Sequence, residues 1–413
     1  MTEDTKETGP LTHLRVLDFT QFLAGPYATM ILADLGAQVI KVENPAGELA
    51  RHLPPHFVGP DSLYYLSVNR NKQSIAIDIK SPKGKDIVRE LIATADIVIE
   101  NFRPGVMTRL GFDAEQLRKV HPRLIWCSVS GFGQDGPARD LPAYDMIVQA
   151  LSGGMSLTGE RNGASVRAGI PLGDLAAGMF AVIGILSAVV DRERNGSGRL
   201  IDISMLDCQV SMLTYQAAYY LFSGVVPGRQ DRGHDSIPTY RSFKGRDGRD
   251  VVITANTEGM WKTLCIVLGA SQLSSDPRFQ TNEERFANRD ELWPILENLF
   301  LARDAADWVE KLQQAGVPAG EVKTLDRALS DPQVLHREMV VELDNKDGQQ
   351  IHVAGNPVKF DRGMHRRYEF PPSLGFDTVR VLKETLRKGD QEIAELLAQK
   401  VVCGPPPSNR SEM

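Results

Sequence analysis

The four cysteines, Cys127, Cys208, Cys265 and Cys403, stand far apart in 413 residues, with no CxxC pair among them. Their scatter excludes a thiolate zinc site and a disulfide framework, and it suits a reducing compartment, the cytoplasm. The eight histidines are equally dispersed, so no metal is expected. Basic residues number 47 against 53 acidic ones and no long basic run appears, which leaves nucleic-acid binding without support. The apolar run Leu175–Val190 falls short of the roughly 20 residues that span a bilayer, so no membrane span is expected. The acidic, polar N-terminus has neither a secretory signal's apolar stretch nor a transit peptide's Arg-rich character. No serine elbow, P-loop or Cys–His signature occurs.

What is present is an ordinary globular composition, 42% apolar and 24% charged, in a chain long enough for two domains. The first 130 residues alternate between strand and helix periodicity. Leu14–Phe19, Gln38–Glu43, Ser74–Ile79, Asp96–Glu100 and Leu124–Val129 read as buried strands. Between them lie helices, one from Gly25 to Leu35 closed by Gly36, one with Ser81 as N-cap and Pro82 at its first position, one capped by Asp113. Strands separated by helices indicate an α/β fold, a doubly wound parallel sheet. Such sheets bind ligands beyond the carboxyl ends of their strands, here the loops Thr20–Pro26, Asn44–Arg51, Asn101–Gly105 and Ser130–Gly136. From Phe222 the character changes. Ser223–His234 reads as a linker, Ile237–Phe243 and Asp250–Thr254 as a hairpin, and amphipathic helices run to Leu329. Val340–Phe360 alternates again and would return the chain to the first domain. The expected divisions are 11–222, 223–330, 331–402 and a disordered tail over 403–413.

Three segments carry candidate chemistry. Asp174 stands alone at the mouth of the Leu175–Val190 run, as a helix N-cap or as an ionised carboxylate held by the helix N-terminus. Its neighbours Gly173 and Gly178 would leave room for another molecule to approach. Tyr64–Lys72 sets Arg70, Asn71 and Lys72 before a strand, either as solvated charge or as a phosphate site. Asn101-Phe102-Arg103-Pro104-Gly105, with Arg109 one turn on, could offer a face for an adenine and another cation. Gly131-Phe132-Gly133-Gln134-Asp135-Gly136 formally matches the dinucleotide fingerprint, but Pro137 follows where a helix should open.

Taken in order, Val16–Phe19 with Ala24-Gly25-Pro26, Leu35–Glu43, Asn69–Lys72, Glu100–Gly105, Ser130–Gly133, Tyr144-Asp145 and Gly173-Asp174 resemble the class III CoA-transferases over about Leu14 to Val402. The resemblance implies a Rossmann-like large domain made from both chain ends, a smaller inserted α+β domain, and an interlocked homodimer. It implies CoA thioesters as substrates with no tightly bound cofactor. It gives Asp174 the nucleophile's role, through an aspartyl-CoA thioester, and suggests that Asn71, Lys72, Asn101, Phe102, Arg109 and Tyr144 line the CoA site. Among the transferases, Tyr64–Lys72, Gly233–Tyr240 and Asp331–His336 look most like enzymes moving CoA from succinyl-CoA to another dicarboxylate such as glutarate. A distal carboxylate needs a cation, for which Arg167 and Arg232 with His234 are the candidates. The stretch Arg232–Tyr240 lacks the Gly-rich run of formyl-CoA transferases, which argues against oxalate and formyl-CoA as the pair. The related α-methylacyl-CoA racemases carry a histidine where this chain has Tyr144, so a two-base proton abstraction lacks one partner. A CoA-binding paralogue in which Asp174 is only a cap is the third reading.

Overall fold

The computed structural model describes residues 9–345, 348–361 and 368–404. They form two compact units. The larger takes those of the described residues that fall within 1–154, 167–223 and 338–413, and the smaller takes 155–166 and 224–337.

The larger unit is built on a seven-stranded sheet. Its strands are β1 (Arg15–Asp18), β2 (Gln38–Glu43), β3 (Lys72–Ile77), β4 (Ile97–Glu100), β5 (Ile125–Ser130), β6 (Leu200–Ser204) and β7 (Val402–Cys403). Their spatial order is β7-β3-β2-β1-β4-β5-β6. The first six pair in parallel, in the doubly wound order with its switch point between β1 and β4. Both faces are covered, because consecutive residues such as Val16 and Leu17, or Val39 and Ile40, enter opposite cores. One core holds α1 (Ala24–Asp34) and α4 (Leu172–Asn195); the other holds α2 (Pro82–Thr94) and C-terminal residues such as Val381, Leu382, Ile393 and Leu396.

The tail assignment needs correcting at its start. Val402 and Cys403 pair antiparallel with Ile77 and Ala76, giving the edge strand β3 a partner. Residues 405–413 lie outside the described ones. Strand β6 went unread in the sequence, since its alternate residues are half-exposed and its Asp202 breaks the apolar run. The hairpin Val340–Asp344/Gln350–Ala354 packs Leu343 and Ile351 on Tyr65 and Leu66 of the same unit.

In the smaller unit, Ala319–Glu321, Asp250–Thr254 and Tyr240–Lys244 form an antiparallel sheet over a core containing Trp261, Phe279, Phe300 and Trp308. Residues 155–166 join it because Gln230 and Asp231 donate backbone N–H groups to Leu157 and Gly159. So short an excursion leaves no shift in composition to read.

Candidate active site

The entrance of α4 is the centre of the site. The helix begins at Leu172 with Pro171 as its N-cap, so Asp174 is its third residue and not a cap. Pro171 has no side-chain acceptor. That function falls to a different segment: Asp145, the first residue of α3 (Asp145–Leu151), accepts the Gly173 N–H on Oδ1 at 2.7 Å. Its Oδ2 accepts from Gln149 Nε2 at 2.7 Å, and Gln149 Oε1 accepts from the Ala168 N–H at 3.0 Å. The carboxylate of Asp145 thus ties α3, the approach loop and the first turn of α4 together.

The glycines serve this closeness. A Cβ at Gly173 would meet Val148 at 2.6 Å, and one at Gly178 would meet the Ala24 carbonyl at the start of α1 at 2.7 Å. Small residues along α4 (Ala176, Ala177, Ala181) let it lie against α1. By length and composition α4 could cross a bilayer, and half of its most apolar stretch is buried in the unit's core.

Asp174 itself makes no side-chain hydrogen bond or ion pair among the described residues, and solvent still reaches it. Burial, reinforced by the nearby charge of Asp145, pushes its carboxyl up to about 7. The expectation that the helix N-terminus keeps Asp174 readily ionised is therefore overturned: desolvation and a like charge outweigh the dipole. Tyr64 shares this neighbourhood. Burial, then the charges of Asp174, Glu48 and Asp145, push its phenol up to about 12, so it stays protonated as a donor.

The loops at the strand ends are fixed by buried polar groups. Asn101 accepts the Gln21 N–H on Oδ1 and donates from Nδ2 to the Gln21 carbonyl, both at 2.8 Å, which joins the loop after β4 to the loop after β1. Glu48 accepts the Phe22 N–H at 2.8 Å and pairs with Lys41 at 2.8 Å, while Lys41 also donates to the Thr20 carbonyl. Asp18, wholly buried, meets Lys72 at 3.2 Å and accepts from Thr20 and Thr29. Burial alone would raise its carboxyl, but Lys72, Lys41 and the two hydroxyls hold it below the usual range. Glu100, buried at the end of β4, accepts the Phe102 N–H at 2.9 Å, and burial pushes its carboxyl up to about 7.

The residues singled out in the sequence fall into three groups. Tyr144 is exposed and meets Phe22 edge-on at 6.1 Å, beside the Gln21–Asn101 pair. Phe102 is half-buried against the core, and Arg109 and Arg167 are exposed in the same unit. Lys72 is different, since its ammonium is fully buried on Asp18, the Pro26 carbonyl and Asn69. Burial pulls it down to about 8 against the opposing charge of Asp18. As folded, Lys72 holds the first turn of α1 to the end of β1 and offers no N–H to a phosphate. Asn71 is likewise engaged, donating to Asp34 at 2.8 Å and accepting the Glu369 N–H at 2.6 Å. Arg232 and His234 belong to the smaller unit, where His234 lies 3.1 Å from Asp235 and stacks on Tyr240.

One other reading resolves here. After β5 no helix opens until Asp145, and Gly133, at a φ of +90°, turns so that its N–H reaches Ser130 Oγ and the next N–H reaches Asp202. The dinucleotide match is a turn. No group of three or more potential ligands is arranged to hold a metal among the described residues.

The model of CoA-transferase family III matches residues 11–378. The chain belongs to that family. It is an enzyme of the CoA-transferase type, moving CoA between carboxylates. It is 40% identical over 400 residues to a Homo sapiens protein named succinyl-CoA:glutarate CoA-transferase, covering 97% of this chain and 91% of that one. It is 42% identical over 390 residues to an Acetobacter aceti protein named acetyl-CoA:oxalate CoA-transferase, covering 93% and 98%. Identity at this level does not set oxalate aside, whatever the Arg232–Tyr240 stretch suggests. A crystal structure of a CAIB/BAIF family protein from Brucella suis superposes with a TM-score of 0.80 at 35% identity, covering 91% of this chain and 99% of that one.

Sequence reasoning missed Asp145 as the group behind Asp174 and Tyr64 as its protonated neighbour. The signal was available only as proximity in a motif series, because neither residue is within a helical turn of Asp174.

Proposed function

We propose that this CoA-transferase takes CoA from a dicarboxylic thioester such as succinyl-CoA and gives it to a second dicarboxylate such as glutarate, with Asp174 as the covalent carrier. A carboxylate oxygen of Asp174 attacks the thioester carbonyl, the C–S bond breaks, and CoA leaves as the thiolate. The thiolate then attacks the aspartyl carbonyl of the anhydride, releasing the donor as its free carboxylate and leaving an aspartyl-CoA thioester. The acceptor carboxylate displaces CoA again, and the returning thiolate attacks the acceptor's carbonyl, restoring Asp174. Splitting the exchange this way replaces one difficult displacement by feasible acyl transfers.

The observation that carries this reading is a solvent-reached carboxylate, unpaired among the described residues, whose ionised form is destabilised by burial and by Asp145. A carboxylate with little solvation and no partner is more nucleophilic than one that is hydrogen-bonded. Asn101, Phe102, Tyr144 and Arg109 are the proposed CoA contacts, and Arg167, in the same unit as Asp174, the candidate for the distal carboxylate. The dicarboxylate assignment rests on the names of similar enzymes.

The homodimer is part of the same proposal. Along the outer face of α4, Met179, Ile183 and Val190 are 44%, 57% and 62% exposed, and Leu221 and Phe222 of the helix Tyr215–Ser223 are 80% and 94% exposed. Such a stripe suits a second copy of the chain better than water. The four free thiols favour the cytoplasm.

The test is Asp174→Asn in the full-length protein. It should fold and bind CoA yet lose turnover almost completely, and hydroxylamine should inactivate wild type only after preincubation with succinyl-CoA. Substantial turnover by the variant overturns the carrier role, and a solution mass of one 45.6 kDa chain overturns the dimer.

A further inference from the structure

The smaller unit contains a cleft of its own, with a volume of about 650 Å³, within the size range of small-molecule sites. Its walls come from residues 160–163, the linker around Asp231 and Arg232, the strand Tyr240–Lys244, and Glu297 with Leu301 beside it. Four cations (Arg161, Arg232, Arg241, Lys244) outnumber three carboxylates (Glu160, Asp231, Glu297) on this lining.

Arg241 is the residue that gives the cleft a chemical direction. Its side chain is only 5% exposed and its guanidinium lies 4.0 Å from the Trp293 ring centre, held face-on by cation–π attraction. One amino group, Nη2, is 3.3 Å from Asp231 Oδ2. The neighbouring Nε–H is buried and has no hydrogen-bond partner among the described residues. Buried donors are almost always satisfied, so an unmet guanidinium N–H on a cleft wall is a place where an added acceptor is stabilising. The Nε edge of arginine matches the planar oxygens of a carboxylate. Arg232, exposed on the same wall with no ion pair among the described residues, supplies a second positive charge. The three wall carboxylates disfavour a densely charged ligand and leave a net demand for one of low charge.

We propose that this cleft is a ligand site for a small carboxylate ion, bound by the Nε–H of Arg241 with Arg232 as the second cation. The site stands on the smaller unit alone and does not depend on the role of Asp174.

Calorimetric titration of the full-length protein with glutarate, without any CoA thioester, tests it. Wild type and Asp174→Asn should bind glutarate equally. Arg241→Gln should weaken binding about tenfold or more, as loss of a charge-assisted bond does, and Arg232→Gln should weaken it several-fold. Because Arg232 is exposed, its variant keeps the test decisive if Arg241→Gln fails to fold. The proposal is overturned by absence of saturable binding to wild type, by unchanged affinity in both arginine variants, or by loss of binding in Asp174→Asn. Tighter binding of inorganic phosphate than of glutarate overturns the carboxylate assignment. A turnover-competent Asp174→Asn would refute the carrier role while leaving this site untouched.

Discussion

Replacing Asp174 by Asn should stabilise the protein, and by an amount that grows with pH. The carboxyl is raised from 3.8 to about 7 in the folded chain, so the native state keeps a proton that the unfolded state releases three units earlier. Across that window the folded form binds more protons, and its stability falls as pH rises. Asn carries no such linkage, and it preserves the shape of the side chain. The full shift corresponds to about 4 kcal/mol above pH 7, at about 1.4 kcal/mol per unit. Between pH 5 and pH 8 the share is about 2.7 kcal/mol, and solvent access to Asp174 reduces it to about 1–2 kcal/mol. Urea unfolding midpoints of wild type and Asp174→Asn, measured at pH 5, 6, 7 and 8 at one ionic strength, read this out. The variant's advantage should widen from pH 5 to about 7 and then level off. An advantage that is constant, or that shrinks as pH rises, would refute both the raised carboxyl and the argument from burial and Asp145.

Two further outcomes follow from the same geometry. The rate of CoA transfer at low substrate should rise with pH and reach half its plateau near pH 7, and Asp145→Asn should move that midpoint downward, since a negative neighbour is removed while burial remains; an unmoved midpoint would remove Asp145 from the account. Gly178→Ala sets a methyl group 2.7 Å from the Ala24 carbonyl, which should cost about 1–3 kcal/mol and lower the thermal midpoint, whereas an unchanged midpoint would mean that α1 and α4 are not held this closely.

The large sheet was legible because each early strand is a short apolar run between turn residues, and two of the helices between them carry their own start signal. Ser81 accepts the Gly84 N–H and Asp113 accepts the Gln116 N–H, as their positions predict. The reading failed where pairing depends on distant partners. Val402–Cys403 becomes a strand only because β3 presents a free edge there, and nothing in Val402–Gly404 announces it. Residues 155–166 go to the smaller unit through two backbone hydrogen bonds to 230–231. The pair Asn71-Lys72, an amide and a cation, looked like a phosphate site for a similar reason. Its residue types suit that role, but Asp18 and Asp34, far earlier in the chain, have already taken both side chains.

Asp174 illustrates how magnitudes decide between a local and a tertiary reading. A carboxylate in the first turn of a helix gains about 0.3–1 kcal/mol from the dipole, enough to lower a carboxyl by less than one unit. The site instead raises it by about three, from 3.8 to about 7. Two features account for the reversal. Packing α4 against α1 through Gly178 and a row of alanines withdraws the first turn from water. The Gly173 N–H, which a carboxylate at the helix entrance would otherwise use, is already donated to Asp145. Asp145 therefore takes the hydrogen bond that belongs to the helix start and adds its own negative charge beside Asp174. The Gly173 N–H is satisfied, and the Asp174 carboxylate is left without a partner among the described residues, which is the condition a nucleophilic carboxylate requires.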